Sequence, residues 1–240
     1  MLNKIYQPFK FKKFNIQQNN AAMKIGTDGI LIGAWSNSSE KKNALDIGSG
    51  TGVISLIIAQ RFDDIKIDSL ENSKNAIIDA KQNIKNCIWH KNINLIEKDF
   101  NKFKPRVKYD LIVSNPPYFI NSLKPINTDR SNARHESSLS YKDILTFSVD
   151  HLSNLGSLNI ILPYDQLDKA MSTSKAIGLN VKRKCTVYPK ANKPPHRVLL
   201  EFSKINSKTI EEELIIEEFG RHEYSKDYKK LTRDFYTIFN

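Results

Sequence analysis

Four consecutive residues, Asn115-Pro116-Pro117-Tyr118, have the types that would activate a planar amino group for attack on an electrophile. The side-chain oxygen of Asn115 can accept one N–H of such a group, and the carbonyl oxygen of Pro116 can accept the other. Two acceptors at the nitrogen stabilise its developing positive charge more in the transition state than in the ground state. The prolines make the loop rigid, and the ring of Tyr118 offers a flat face on which a base can stack. The tetrapeptide therefore predicts the catalytic residues.

A glycine-rich turn, Asp46-Ile47-Gly48-Ser49-Gly50-Thr51-Gly52, follows the first short apolar run. Glycines allow backbone N–H groups to approach a ligand closely at the start of a helix. The GxGxG spacing differs from the GxGxxG of dinucleotide enzymes, and no GK[ST] of a phosphate-binding loop follows it. Two further acids, Glu71 and Asp99, close the next two apolar runs, where carboxylates could hold ribose hydroxyls and the edge of an adenine.

This order of residues resembles the S-adenosylmethionine-dependent methyltransferases of the class I fold. The resemblance implies S-adenosylmethionine as the cofactor, with Asp46 and the turn at its methionine moiety, Glu71 at its ribose and Asp99 beside its adenine. The predicted cofactor-binding residues are Thr27, Asp28, Asp46, Gly48, Gly50, Gly52, Glu71, Asn72, Asp99 and Phe100. No metal is predicted, because the five histidines lack the spacing of a ligand set.

Short apolar runs alternate with amphipathic stretches from residue 43 onward, which predicts parallel strands joined by helices. Strands are expected at 44–47, 65–70, 93–97, 109–114, 158–162, 181–188 and 198–202, and helices at 53–61, 73–86, 141–152, 165–176 and 224–239. A further capped helix is expected to begin at Thr27 or Asp28. The fold class is therefore α/β, a doubly wound, mostly parallel seven-stranded sheet of the class I methyltransferase (Rossmann-like) type with an antiparallel C-terminal hairpin. Residues 1–240 are predicted to form a single domain, with a basic N-terminal arm at 1–24 and a target-loop insertion at 119–139.

Basic residues exceed acidic ones by 37 to 26, which gives the chain a formal charge of +11. The segment 1–24 contains no acid, and neither does the stretch between Asp168 and Glu201. Both segments also contain aromatic residues, a pattern typical of nucleic-acid binding. The predicted RNA-binding residues are Lys10, Lys12, Lys13, Arg130, Arg134, Lys182, Arg183, Lys184, Lys193 and Arg197.

Flanking segments sharpen the resemblance: 23–35, which reads MKIGTDGILIGAW, 131–136, which reads SNARHE, and a tail that reads RHEYS at 221–225 and ends in DFY at 234–236. With the tetrapeptide they resemble the bacterial valine-tRNA adenine-N6 methyltransferase family over essentially the whole chain. The resemblance implies methylation of the adenine directly 3′ of the anticodon, with the anticodon stem–loop of a tRNA as the partner. No membrane association and no obligate protein partner are expected. The two cysteines, Cys87 and Cys185, form no CxxC pair, which fits a cytoplasmic protein.

Other functions remain open from the residues alone. The same tetrapeptide occurs in enzymes that methylate a protein glutamine or the N2 of a guanine in ribosomal RNA. A DNA adenine methyltransferase is a further alternative, although the chain has no recognisable DNA-target domain. A non-catalytic RNA-binding or chaperone module that kept the fold is the alternative from another class. The intact set of Asp46, Glu71 and Asn115–Tyr118 disfavours it.

Overall fold

The fold is described by a computed structural model that covers residues 7–37, 40–118 and 139–239. Its strands are β1 (Phe9–Lys10), β2 (Asn15–Ile16), β3 (Asn43–Ile47), β4 (Lys66–Glu71), β5 (Ile93–Glu97), β6 (Tyr109–Ser114), β7 (Leu152–Pro163), β8 (Asn180–Lys190), β9 (Arg197–Ser203) and β10 (Ile210–Glu217). Its helices are α1 (Thr27–Trp35), α2 (Val53–Arg61), α3 (Lys74–Lys85), α4 (Tyr141–His151), α5 (Leu167–Ala176) and α6 (Lys226–Thr232).

The main sheet has eight strands in the order β10-β8-β9-β7-β6-β3-β4-β5. Strands β3 to β7 are parallel, so they all end at one edge of the sheet, the carboxyl edge. Strand β9 runs antiparallel to both β7 and β8, which confirms the predicted fold class and hairpin. The sheet has one strand more than predicted, because β10 adds parallel to β8. Its sequence IEEELIIE lacks a regular apolar alternation, which an edge strand tolerates.

Helices cover both faces of the sheet. The sheet therefore divides the hydrophobic core into two parts. Helices α1, α2 and α6 pack on one face, where they bury residues such as Leu31, Ile57 and Tyr228. Helices α4 and α5 pack on the other, where Ile144 and Ala170 are buried. Helix α2 is apolar nearly all round and is buried over its first seven residues, as a helix between a sheet and further helices must be. None of the helices within the described ranges is long and apolar enough to cross a membrane.

The described part of the N-terminal arm is packed along α3. The backbone N–H of Gln17 donates to Asn83 Oδ1 (2.7 Å), and the N–H groups of Asn20 and Ala21 donate to Asp79 Oδ2 (2.9 and 2.7 Å). Asp79 and Asn83 are buried, so these bonds satisfy groups that would otherwise be costly to bury. The arm is therefore a fixed part of the structure over residues 7–24. The division into one domain stays a prediction, and residues 119–138 of the target-loop insertion lie outside the described residues.

Two local predictions need correction. Helix α1 begins at Thr27 as expected, but Gly26 is its N-cap and no side chain caps it. Asp28 instead accepts a hydrogen bond from Arg197, far along the chain. The last helix is also shorter than predicted: it occupies only Lys226–Thr232, with Ser225 as its N-cap.

Candidate active site

The glycine turn connects β3 to α2 at the carboxyl edge. Gly48, Gly50 and Gly52 have φ angles of +71°, +58° and +84°, in the left-handed region that side-chain-bearing residues rarely adopt. The N–H groups of Gly48 and Ser49 both donate to the carbonyl oxygen of Leu70, which fixes the turn against the end of β4. Substitution of any of the three glycines would therefore strain the turn.

Asp46 lies beneath this turn and is fully buried. Its Oδ2 accepts hydrogen bonds from the backbone N–H (3.1 Å) and the hydroxyl (2.7 Å) of Ser55. Its Oδ1 has no partner among the described residues, and the buried hydroxyl of Ser49 has none either. Burial raises the pKa of Asp46 to about 7. Buried polar atoms without partners are rare in proteins, so two of them at one glycine turn indicate a site for a polar, cationic ligand group.

Glu71, at the end of β4, connects the turn to the start of α3. Its Oε2 accepts from the N–H of Gly50 (2.7 Å), and its Oε1 accepts from the N–H groups of Asn72 (2.9 Å) and Ser73 (2.8 Å). A carboxylate has about four acceptor positions, so one remains for a ligand hydroxyl. The backbone N–H of Lys98 donates to the carbonyl oxygen of Glu71 (3.0 Å), which brings the end of β5 to the same place.

Asp99 and Phe100 follow directly after that contact. Asp99 Oδ1 accepts from the N–H of Asn101 (2.8 Å) and caps a short 3-10 turn. The ring of Phe100 packs on Phe147 of α4, with centroids 5.1 Å apart. The structure thus brings the predicted residues of β3, β4 and β5 together at the carboxyl edge, in the order in which an elongated nucleoside would meet them.

The Asn-Pro-Pro-Tyr loop continues from β6 at this same edge. The Ser114 hydroxyl donates to the carbonyl oxygen of Ile47 (2.8 Å), so the loop begins beside the start of the glycine turn. The hydroxyl of Tyr118 donates to Asn115 Oδ1 (2.7 Å). Burial is the largest cause of a raised pKa at Tyr118, which keeps its hydroxyl protonated as a donor. The acceptor proposed for an incoming amino group is therefore occupied by the loop's own tyrosine.

An ion pair between Arg197 and Asp28, which the sequence did not indicate, lies beside the ring of Tyr118. The guanidinium carbon of Arg197 lies 4.8 Å from the centre of the Tyr118 ring, and its Nε donates to Asp28 Oδ2 (2.9 Å). Asp28 was predicted to bind the cofactor, and Arg197 was predicted to bind RNA. The two side chains contact each other beside the catalytic loop, and their binding roles stay predictions.

A cavity of about 780 Å³ opens beside the loop, within the size range of small-molecule sites. Pro116, Pro117 and Tyr118 form one wall. Other lining residues come from the elements that end here: Tyr141, Pro163, Tyr164, His196 and Arg197. Tyr141, Tyr164 and His196 were missed by the sequence reasoning. Tyr164 lies two residues after the predicted strand 158–162. An aromatic residue just beyond the carboxyl end of a strand is the signal that could have identified it.

Strand direction separates the predicted RNA-binding residues. Strand β8 runs parallel to the central strands, so the connection from β8 to β9, with Lys193 and Arg197, lies at the carboxyl edge. Lys182, Arg183 and Lys184 lie near the start of β8, toward the opposite edge. Their acidic partners are Glu201 for Lys182 and Arg183, and Glu211 for Lys184. Arg130 and Arg134 lie outside the described residues.

The sequence model of the methyltransferase small-domain family matches residues 20–172. A tRNA1(Val) (adenine(37)-N6)-methyltransferase of Bacteroides thetaiotaomicron is 39% identical over 229 residues, which are 95% of this chain and 96% of that protein. The protein of the same name in Histophilus somni (strain 2336) is 38% identical over 236 residues, 97% of this chain and 98% of its own.

Solved structures share the fold at low identity. A predicted O-methyltransferase from Agrobacterium tumefaciens has a TM-score of 0.62 at 16% identity and covers 87% of this chain and 96% of its own. TYW2 of M. jannaschii in complex with AdoMet has a TM-score of 0.55 at 14% identity and covers 82% of this chain and 86% of its own. The extent and level of the sequence matches show that the chain belongs to the methyltransferase small-domain family and, within it, to the tRNA1(Val) (adenine(37)-N6)-methyltransferases.

Proposed function

We propose that this protein transfers a methyl group from S-adenosylmethionine to N6 of adenine 37 in tRNA1(Val). The observation that carries the proposal is the position of Asn115 and Tyr118 between the glycine turn and the cavity beside it. The relatives at 36–39% identity carry the same substrate in their names. A tRNA substrate also implies that the protein works in the cytoplasm.

The residues around the glycine turn fit S-adenosylmethionine. Asp46 Oδ1 and the Ser49 hydroxyl are buried and without partners, as expected where a ligand ammonium and carboxylate bind. Glu71 would accept a ribose hydroxyl at its remaining acceptor position, and Asp99 with Phe100 would border the adenine. When bound, the cofactor would supply an electrophilic methyl group on a positively charged sulfur.

The catalytic loop would direct the lone pair of the adenine amino nitrogen at that methyl group. Asn115 Oδ1 and the carbonyl oxygen of Pro116 would each accept one hydrogen of the amino group. If the nitrogen took the methyl group from the sulfur, it would become positive, and Asn115 Oδ1 and the Pro116 carbonyl oxygen would stabilise it. One N–H proton would leave to water, so the loop would need no group with a pKa tuned to act as a base. Tyr118, having released Asn115, would stack on the base, which must leave the anticodon loop to enter the cavity.

Methylation of tRNA with labelled S-adenosylmethionine tests the proposal. The modified nucleoside and its position are identified by digestion and mass spectrometry, and we expect N6-methyladenosine at position 37 of tRNA1(Val). Methylated guanine, or label that survives RNase treatment on a protein, would overturn it in favour of the ribosomal RNA or glutamine alternatives.

The Asn115→Ala variant tests the role of the loop. We expect it to lower kcat by at least about 100-fold, the effect of removing one oriented transition-state hydrogen bond, while S-adenosylmethionine affinity stays near wild type. Asn154→Ala is the matched control, because Asn154 is exposed on β7 away from the carboxyl edge. An Asn115→Ala enzyme with wild-type kcat would contradict the assigned role.

A further inference from the structure

Helix α6 and its C-cap residue, Arg233, present four cations on one face. Lys226, Lys229, Lys230 and Arg233 are spaced i, i+3, i+4 and i+7, and all four are exposed. The opposite face buries Tyr228 and Thr232 against the core. Residues three and four apart are neighbours on a helix surface, so these cations form one continuous stripe.

Helix α6 contains one acid, Asp227, which is exposed and forms no ion pair with these cations. Within the described ranges, no ion pair joins Lys226, Lys229 or Lys230 to an acid, and Arg233 pairs only with its exposed neighbour Asp234 at 3.9 Å. Like charges at these spacings repel each other and destabilise the helix. Binding of a polyanion would relieve this repulsion.

Contacts at its two ends place helix α6 between the end of β10 and the end of α2. At its start, the N–H of Ser225 donates to the carbonyl oxygen of Ile216, at the end of β10 (3.0 Å). Beyond its end, the carbonyl oxygen of Asp234 accepts from Gln60 at the end of α2 (2.8 Å). Since α2 begins at the glycine turn, its last turn lies at the opposite edge of the sheet.

Contacts connect both ends of the stripe to cations that the sequence analysis assigned to RNA. At the carboxyl edge, Lys190 pairs with Glu217 of β10 (3.6 Å), and the N–H of Lys193 donates to the carbonyl oxygen of Lys190 (3.1 Å). At the opposite edge, the N–H of Lys12 donates to the carbonyl oxygen of Phe235 (2.8 Å). Lys12 and Lys13 are exposed and border a second cavity of about 400 Å³.

We propose that the exposed face of α6, with Lys193 at one end and Lys12 and Lys13 at the other, binds the phosphate backbone of the RNA substrate. The inference rests on the proposed function and adds the surface that holds the stem of the RNA while one base occupies the catalytic cavity. Helix α6 has seven residues and spans about 10 Å, the axial rise of about three nucleotides of one strand. The contacts are to phosphates, so they position the RNA and do not read its sequence.

The double variant Lys229→Gln/Lys230→Gln tests this surface. We expect the KM for tRNA to rise about 3- to 10-fold at physiological salt. The slope of log affinity against log salt concentration should become shallower by about 1.4 to 1.8, since each of the two lost phosphate contacts removes about 0.7 to 0.9. The kcat at saturating RNA and the affinity for S-adenosylmethionine should be unchanged.

Lys169→Gln/Lys175→Gln is the matched control. It removes the same charge from exposed positions of α5, on the other face of the sheet. Equal KM values and salt slopes in the two double variants would overturn the proposal, and so would a fall in kcat without a change in KM. Filter binding of tRNA measures the same slopes without catalysis. The surface is therefore tested even if no methylation of RNA is found, in which case the proposed function alone has failed.

Discussion

Strand β8 and helix α6 both carry a cluster of cations, but their neighbours differ. Arg183 of β8 is only 17% exposed: its guanidinium lies 3.6 Å from the centre of the Trp35 ring and pairs with Glu201 and Glu212. Lys184 pairs with Glu211 on β10. The lysines of α6 have no such partners among the described residues. The same residue types therefore stabilise the fold in one region and are available to a ligand in the other.

The difference arises from the acids on both neighbours of β8: Glu201 on β9, and the acids of β10, the strand that the sequence analysis missed. The acids of β10, Glu211, Glu212 and Glu217, stand beside the cations of β8 in a parallel register. The stretch between Asp168 and Glu201 contains no acid, but acids of neighbouring strands lie beside its cations in the folded protein. The RNA-binding roles of Lys182, Arg183 and Lys184 stay predictions, and the surface proposed above rests on Lys193 and on Lys12 and Lys13 of the arm, which form no ion pair with an acid among the described residues.

Glu201→Gln should give the largest effect in this comparison. Glu201 is buried and pairs with Arg183 and Lys182, so the substitution leaves a buried guanidinium partly unpaired. We expect the free energy of unfolding in urea to fall by about 3 kcal/mol. Glu211→Gln, at a pair whose acid is 68% exposed, should cost less than about 1 kcal/mol. Equal effects of the two substitutions would contradict the buried role of the β8 cations.

Arg197→Met tests whether Arg197, a cation at the start of β9, contributes to catalysis. It removes the guanidinium beside Tyr118 and leaves Asp28 without this partner. Misplacement of the loop should lower kcat/KM for tRNA by about 10- to 100-fold, measured from initial rates of methyl transfer. The salt slope of RNA binding should change by less than for the α6 double variant. Wild-type kcat/KM would show that Arg197 belongs with the structural cations.

The pH dependence of stability separates buried from exposed lysines. Burial is the main cause that lowers the pKa of Lys41 to about 8, and its Nζ donates to Ser157 beside the Glu201 cluster. Between about pH 8 and the unfolded pKa of 10.5, the unfolded state binds more protons at this residue, so its contribution to stability rises with pH. Lys41→Met should therefore stabilise the protein at pH 7.5 by about 1 kcal/mol, and this gain should shrink by pH 9.5. Urea unfolding at the two pH values measures it, with Lys230→Met as the exposed control that shows no such trend.

Lys184→Gln should give the smallest effect. Its charge is paired with Glu211, so we expect less than a twofold change in the KM for tRNA. A rise as large as that of the α6 double variant would show that β8 faces the RNA after all.

Sequence patterns predicted most of the elements that form the site, because each element's signal is local. The apolar runs around Asp46, Glu71 and Asn115 became parallel strands that end together, and Ser73 caps α3 as predicted. The partner of Asp28 could not be predicted, since Arg197 lies 169 positions away and no local pattern joins them. The burial of Arg183 could not be predicted for the same reason, because its environment depends on how α1 and β10 pack against β8.

The hydroxyl of Tyr118 occupies the acceptor of Asn115 that a substrate amino group would use. An amino group that reaches Asn115 has to displace a phenol, and the exchange of one donor for another yields little net free energy. The released hydroxyl then loses this bond, and an incoming molecule compensates for the loss when it offers a flat surface on which the ring can stack. Ammonia can replace the donor but offers no such surface, whereas a purine supplies both. Chemical discrimination between amines would thus begin before any methyl group moves.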